Sequence, residues 1–439
     1  MSTFTDDLIS SVTTALHALT RQEREAQRRL NMIPSENHSS PLARIALGLD
    51  SGHRYFFNTG NDPNSWNFPA AREASQVETD LTLPLLRHLA RADHVNVRPL
   101  SGLQAMALVL SALGGGPGTP VISIHTDQGG HYATAGLARR LGLVPVLARG
   151  PDPHTLDLDA LTTLVARHRP CLVYLDLSHA LFPLDTEAVV TAVRAARTPT
   201  LVHVDISHWM GLVLGGAIPH PLDAGADSMG GSTHKTFPGP QHALIATRDA
   251  HAAAEIGLAQ QEMISNHHLA ATCALGLAAA EFLAADPQEY AQQVIASARL
   301  LGGHLAERGL PPAAAERGYS GGHQLWVDSS IVGVDAVTAG RRLDEAGISV
   351  NVLTDLPGMQ GRPALRLGVA EPLSVGLTAD DMPLVAELLT AAVFSRRPAD
   401  LIAEHVAALR AARVPRWRLA DQPQIAAALR QLSAQEYAA

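Results

Sequence analysis

The amino-acid sequence predicts an α/β protein, with a mainly parallel sheet in a large domain and a smaller C-terminal α+β domain. Three observations carry that expectation. Between about Val95 and Thr247, short β-rich runs (PVISI, LVPVLA, CLVYLDL, TLVHVDI, ALIAT) alternate with Ala/Leu/Arg-rich helical stretches. Continuous apolar strands separated by helices indicate parallel strands covered on both faces. From about Pro287 the pattern changes to helices mixed with the short strands QLWVDS, ISVNVL and ALRLGV. The length of 439 residues suits two or three domains at roughly 100–200 residues each.

In chain order, residues 6–29 read as one amphipathic helix. Leu8, Ile9, Val12, Ala15, Leu16 and Leu19 recur at helical spacing ahead of the charged stretch Arg21–Arg29. The segments Asn37–Ser40 and Tyr55–Phe68 look irregular, and long irregular segments in a compact domain are functional or disordered. The strand-like VNV precedes Ser101-Gly102, which opens the helical QAMALVLSAL. Further helices are expected at Tyr132–Leu141, Leu158–His168, Glu187–Arg197 and, Ala-rich, His268–Ala285. The basic cluster Arg410, Arg413, Arg416 and Arg418 reads as a solvated helix face or a subunit contact.

Composition excludes several classes. With 46% hydrophobic and 17% charged residues the chain is too apolar for disorder. No uncharged apolar run reaches the ~18 residues of a membrane span, and the start MSTFTDDLIS lacks the basic region of a signal peptide. A net charge of −9 argues against a grip on nucleic-acid backbone. Cys171 and Cys273 can form neither a disulfide framework nor a cysteine metal site, which fits a reducing cytosol. His267-His268 lacks zinc-ligand spacing, and GGGPG at 114–118 lacks the Lys-Ser/Thr of a phosphate loop, so no metal is expected.

The most informative stretch runs from Val202 to Gln241. VHVD ends in Asp205, and GGSTHKTFPGP places Lys235 on a later turn. Ligands of open α/β sheets bind beyond the carboxyl ends of strands. A carboxylate there and a lysine nearby suit pyridoxal phosphate: the amine forms a Schiff base with the aldehyde, and the carboxylate pairs with the protonated pyridine nitrogen. Neither residue is diagnostic alone, since a strand-end Asp is often a turn residue and a lysine usually solvated. Ser101-Gly102 at a helix start can offer N–H groups and a hydroxyl to a phosphate, or serve as an ordinary cap. His131 in Gly129-Gly130-His131 can stack on a planar ring or be a plain loop histidine. Arg366 in the strand ALRLG wants a carboxylate, which an amino-acid substrate can supply.

The segments IPSEN (33–37), RPLSGLQA (98–105), GGH (129–131), VDISHWMGL (204–212), STHKT (232–236) and LRLG (365–368) occur in the order found in serine hydroxymethyltransferases. The chain resembles that family over roughly residues 6–390. The resemblance implies a fold-type I pyridoxal-phosphate transferase with a seven-stranded sheet. It divides the chain into an N-terminal helical arm (1–45), a large pyridoxal-phosphate-binding domain (46–285) and a small domain (286–439). It further implies that Lys235 is the Schiff-base lysine, Asp205 the pyridine partner and His131 the ring-stacking histidine. His208 and Ser178 would neighbour the cofactor hydroxyl, Ser101 and Gly102 would form the phosphate turn, and Thr233 and His234 would flank the cofactor with Lys235. Ser35 and Arg366 resemble carboxylate binders. Glu36 resembles the acid/base at the substrate β-hydroxyl, with His131 or a water as alternatives. Tyr55 resembles an aromatic residue lent to the cofactor and substrate of a partner subunit, which implies a homodimer with shared sites, alone or paired into a tetramer, in the cytoplasm.

Departures from the family decide the reaction. The lysine motif, typically followed by Thr-Leu-Arg-Gly-Pro-Arg-Gly-Gly, here continues Thr236-Phe237-Pro238-Gly239-Pro240-Gln241-His242-Ala243. Tyr-Tyr-Gly-Gly is replaced by Ser65-Trp66-Asn67-Phe68-Pro69, Asn-Lys-Asn by Asn351-Val352-Leu353, and the phosphate-turn Ser-Gly-Ser by Ser101-Gly102-Leu103. Losing polar contacts to a pterin while keeping the pyridoxal machinery points away from tetrahydrofolate. The chain is most similar to the L-threonine transaldolase branch, which cleaves threonine to acetaldehyde and adds the glycyl carbanion to another aldehyde. The alternatives are a hydroxymethyltransferase acting on serine or α-methylserine with tetrahydrofolate, a threonine aldolase, and a retired enzyme that only binds. Trp66, Phe68, Phe237 and Trp209 are candidates for drying the pocket, or for ordinary packing.

Overall fold

The computed structural model describes residues 2–56 and 68–436. The expected seven-stranded sheet is present, in the order His94–Asn96, Ala243–Thr247, Ser228–Ser232, Leu201–Asp205, Leu172–Asp176, Pro120–Ile124, Val144–Ala148. The five strands from Ser228–Ser232 to Val144–Ala148 run parallel, and both pairings of Ala243–Thr247 are antiparallel. Each apolar run of the sequence became a strand, buried on both faces except at the edge strand Val144–Ala148, where only Ala148 is fully buried. Ser228–Ser232 gave no strand signal because Gly230-Gly231 have no side chains to pack. The space explains the glycines. A Cβ on Gly230 would lie 2.4 Å from the Leu244 carbonyl oxygen, and one on Gly231, at φ +130, would lie 2.7 Å from Asp205 Oδ1.

Helices Leu158–His168 and Thr186–Ala195 pack together on the sheet, each started by an aspartate, Asp157 and Asp185, whose carboxylate accepts a first-turn N–H. The Ala-rich helix Leu269–Ala284 is buried along most of its length and turns into Pro287–Glu307. Beyond it stands an antiparallel sheet, Asn351–Leu353, Ala364–Gly368, Gln324–Val327. The strand Leu30–Asn31 pairs with Ile348–Ser349, so the turn after the first helix is seated on this C-terminal region. The first helix, Ser2–Arg28, turns Leu8, Ile9, Val12, Leu16 and Leu19 outward, 50–63% exposed.

Packing decides two readings. Neither Phe237 nor Trp209 lines the pocket that contains Lys235. Phe237 is fully buried edge-on to Phe282, with ring centroids 5.0 Å apart, and Trp209 is buried with its indole N–H on the Leu177 carbonyl at 3.2 Å. Phe68 lies beside Tyr55, centroids 5.4 Å apart, and Trp66 falls outside the described residues. The basic cluster is not a free face either: Arg413 pairs with Asp381, Arg416 with Glu289 and Arg418 with Asp421. Arg410 caps the carbonyls of Arg29 and Val375.

Candidate active site

A pocket of about 360 Å³ opens at the carboxyl ends of the parallel strands. Asp176 and Asp205 end neighbouring strands in direct register, so both side chains point to the same side of the sheet. Asp205 Oδ1 accepts the Ser207 N–H at 2.8 Å, and Oδ2 accepts the Tyr174 hydroxyl at 3.0 Å. Burial and the Asp205 charge push the Tyr174 hydroxyl well above its ordinary pKa, so it stays a donor. Its ring stacks on His203, centroids 4.9 Å apart. Asp176 accepts from the Thr134 hydroxyl and has one oxygen without a partner. Burial, with the charge of Asp205, pushes its carboxyl up to about 8.

Lys235 is the sole lysine of the chain, every other basic residue counted with it being arginine. It follows Ser228–Ser232 on a turn held by the Thr233 hydroxyl on the Pro240 carbonyl at 2.8 Å, and Asn37 Nδ2 donates to the Lys235 carbonyl at 2.6 Å. Burial brings the amine down to about 8, against the pull of Asp205, and the Arg366 charge lowers it further. A substantial neutral fraction near neutrality makes it a nucleophile. His131 accepts the Ala133 N–H on Nδ1 at 3.2 Å, and burial lowers its pKa, so the ring is neutral with its proton on Nε2.

The opposite charge sits deeper, in the C-terminal region. Arg366 Nε donates to Gln324 Oε1 at 2.6 Å, and one terminal nitrogen donates to the Ser178 carbonyl at 2.6 Å and to His208 Nε2 at 3.3 Å. That last contact fixes the proton of His208 on Nδ1, which donates to His323 Nε2 at 3.1 Å. Burial holds His208 well below its usual pKa and brings His323 and His179 down to about 3. Burial brings Arg366 down to about 9 against the charge of Asp355, and no direct ion pair joins it to a carboxylate among the described residues. A buried guanidinium surrounded by neutral acceptors is a ready receptor for a carboxylate.

Gly102, His131, Ser178, Asp205, His208 and Lys235 thus line one pocket, as the sequence reading expected. Others lie apart from it. Ser101 is exposed and caps its helix, accepting the Gln104 N–H at 3.2 Å. Thr233 spends its hydroxyl inside the turn, and burial brings the half-buried His234 down to about 4. Ser35 is half-buried in the turn closed by the Glu36 N–H on the Ile33 carbonyl, and Tyr55 is exposed. Glu36 is exposed beside Asn31. Sequence reasoning missed Tyr174, Asp176, Ser207, Ser232, His179, His323 and Gln324. Asp176 carried a usable signal, because YLD ends a strand just as HVD does.

The donor set fits pyridoxal phosphate: a carboxylate, a primary amine and a helix start at one pocket. A Cβ on Gly102 would come within 2.1 Å of Ser232 Oγ, so only glycine lets the helix N-terminus approach the strand end. No single helix among the described residues is long and apolar enough to cross a membrane.

Comparison with known proteins gives the same picture. The serine hydroxymethyltransferase family profile matches residues 9–389. An L-threonine:uridine-5'-aldehyde transaldolase from an Amycolatopsis species is 47% identical over 82% of this chain and 87% of its own length. A serine hydroxymethyltransferase from Korarchaeum cryptofilum is 33% identical over 87% of this chain and 90% of its own. The crystal structure of an L-threonine transaldolase from Pseudomonas fluorescens superposes with a TM-score of 0.85, covering 98% of this chain and 99% of that one at 24% identity, which bears on the fold.

Proposed function

The chain belongs to the serine hydroxymethyltransferase family of pyridoxal-phosphate-dependent transferases, and from that premise we propose that it is an L-threonine transaldolase with a nucleoside 5'-aldehyde as acceptor. The observation that carries the reading is one pocket lined by Asp205 and Lys235, with the buried Arg366 bonded to the pocket-lining Ser178 and His208. The acceptor class follows the relatives at 47% identity, whose names give uridine-5'-aldehyde. Tetrahydrofolate is not used in this reading, since Asn351-Val352-Leu353 stands where the family has the Asn-Lys-Asn that helps hold the folate ring.

Pyridoxal phosphate, held by Lys235 and Asp205, supplies the electron sink for the pair left at Cα. Tyr174 and Ser207 orient Asp205 by donating to both its oxygens. Arg366 binds the substrate carboxylate, and that contact fixes which bond at Cα is turned for cleavage. Glu36 takes the β-hydroxyl proton as the departing aldehyde forms and returns it to the β-oxygen of the incoming one. His131 covers the pocket as a neutral ring, which keeps a second cation away from Lys235. The division into an arm (1–45), a large domain (46–285) and a small domain (286–439) is part of the proposal. So is a cytoplasmic homodimer, supported by the exposed apolar face of the first helix and by Tyr55 standing outside its own chain's pocket.

The test is to incubate purified protein with threonine or serine, with and without tetrahydrofolate and an acceptor aldehyde. Acetaldehyde release from threonine, with incorporation of the acceptor into a new amino acid and no folate requirement, is expected. Folate-dependent exchange on serine without acetaldehyde release would overturn the reading. Acetaldehyde and free glycine without incorporation would make it an aldolase.

A further inference from the structure

Two carboxyls meet one amide where the turn carrying Glu36 leaves the strand Leu30–Asn31, and the reaction above uses only one of them. Asn31 donates its side-chain N–H groups to Glu36 Oε2 at 2.7 Å and to Glu371 Oε2 at 2.8 Å. Asn31 Oδ1 accepts the Ile33 N–H at 3.2 Å, which settles the orientation of the amide: its nitrogen faces the acids. An amide nitrogen carries two hydrogens, and both are used.

The fold brings these distant residues together. Leu30–Asn31 pairs with Ile348–Ser349, and the Gly368 N–H donates to the Met32 carbonyl at 2.7 Å. This lays the Glu36 turn against the short helix Ala370–Ser374, which carries Glu371. Glu36 is exposed and Glu371 half-buried. Besides Glu36, the charged group acting on Glu371 is Arg410 of the helix Ala399–Ala411, whose guanidinium is engaged by the Arg29 and Val375 carbonyls. Burial first, and the Glu36 charge with it, push Glu371 up to about 7 against the Asn31 bond and Arg410. Two carboxylates facing one donor repel each other, and the buried Glu371 is the one that holds its proton to higher pH.

We propose that Glu371 is a positioning residue for Glu36: by sharing Asn31 with it, Glu371 holds the Glu36 carboxylate oriented for proton transfer at the substrate β-oxygen. The inference rests on the acid–base role given to Glu36 above. Ionising Glu371 places a second negative charge on Asn31, and repulsion then turns Glu36 off its anchor.

The test follows kcat and KM for threonine cleavage against pH in the holoenzyme, with urea unfolding midpoints over the same range. Glu371→Gln keeps an acceptor for Asn31 and cannot ionise. Wild-type kcat should fall at least about threefold relative to Glu371→Gln between about pH 6 and about pH 8.5, with the ratio of KM values unchanged. Wild-type stability should fall relative to the variant as pH rises from about 4.5 to about 7, because an acid whose pKa is raised by folding loses its contribution between its unfolded and folded values. Asn31→Ala removes the shared donor and leaves both acids. It should lower kcat about tenfold at an unchanged KM. Superimposable wild-type and Glu371→Gln profiles, or an Asn31→Ala enzyme with wild-type kcat, would overturn the proposal. Glu36→Gln separates the two failures. Full activity there overturns the acid–base role and this inference with it, whereas inactivity beside superimposable profiles overturns this inference alone.

Discussion

Asp205 and Arg366 stand at opposite ends of the same site and are solvated in the same way. Each is a charge taken from water whose hydrogen-bond partners are neutral protein dipoles. Asp205 has a hydroxyl and a backbone N–H; Arg366 has an amide oxygen, a carbonyl and an imidazole nitrogen. Preorganised dipoles of this kind hold a charge without neutralising it, which leaves it free to act on a ligand. The two ends differ in how they are built. The Asp205 end is made from neighbouring parallel strands and the turn that follows. The Arg366 cage is assembled from Ser178, His208 and Gln324, three segments separated by long stretches of chain.

That difference suggests how to break each end. The largest effect is expected at Lys235, where Lys235→Ala should lower threonine cleavage by at least about 10³-fold, because no other lysine can replace the nucleophile. At the far end, Arg366→Gln should cost about 10²-fold in kcat/KM for threonine, read by initial rates at saturating aldehyde. Gln324→Glu sharpens the same point. It gives Arg366 an internal partner, so KM for threonine should rise about tenfold while kcat changes little. At the near end, Tyr174→Phe removes one donor to Asp205 and keeps the stack on His203. Cofactor affinity, measured by equilibrium dialysis, should weaken about tenfold. The smallest effect is on stability. Burial and Asp205 raise the Asp176 carboxyl to about 8, so its contribution is present at low pH and is lost as pH rises from about 4 to about 8. Asp176→Asn cannot titrate, and the difference in urea midpoint between the two proteins should shift against the wild type over that window.

Legibility in the sequence follows the same division. Strands such as CLVYLDL and TLVHVDI announce themselves because burial on both faces demands continuous apolar residues, and the strand-end Asp205 comes with them. Lys235, His131 and Gly102 lie on turns directly after strands, where local spacing is enough to bring them to the pocket. The cage around Arg366 was not legible, because nothing local in Ser178, His208 or Gln324 says that they meet. The resemblance named Ser178 and His208 as neighbours of the cofactor, yet in the fold they serve equally as acceptors for the guanidinium. Phe237 stayed open between pocket and core for a related reason. An aromatic residue beside the lysine can face the pocket or the core, and only the packed position of Phe282 decides. Ser228–Ser232 escaped notice because its glycines answer to space beside Leu244 and Asp205 rather than to strand propensity.

The central claim is that Lys235 carries the cofactor opposite Asp205. Its most direct test is to load the protein with pyridoxal phosphate, reduce with borohydride and map the labelled peptide in wild type and Lys235→Arg. The account predicts one covalent label per chain, on the peptide containing Lys235, and none in the variant. A wild-type protein that takes up no label, or a variant labelled as fully as the wild type, would contradict it.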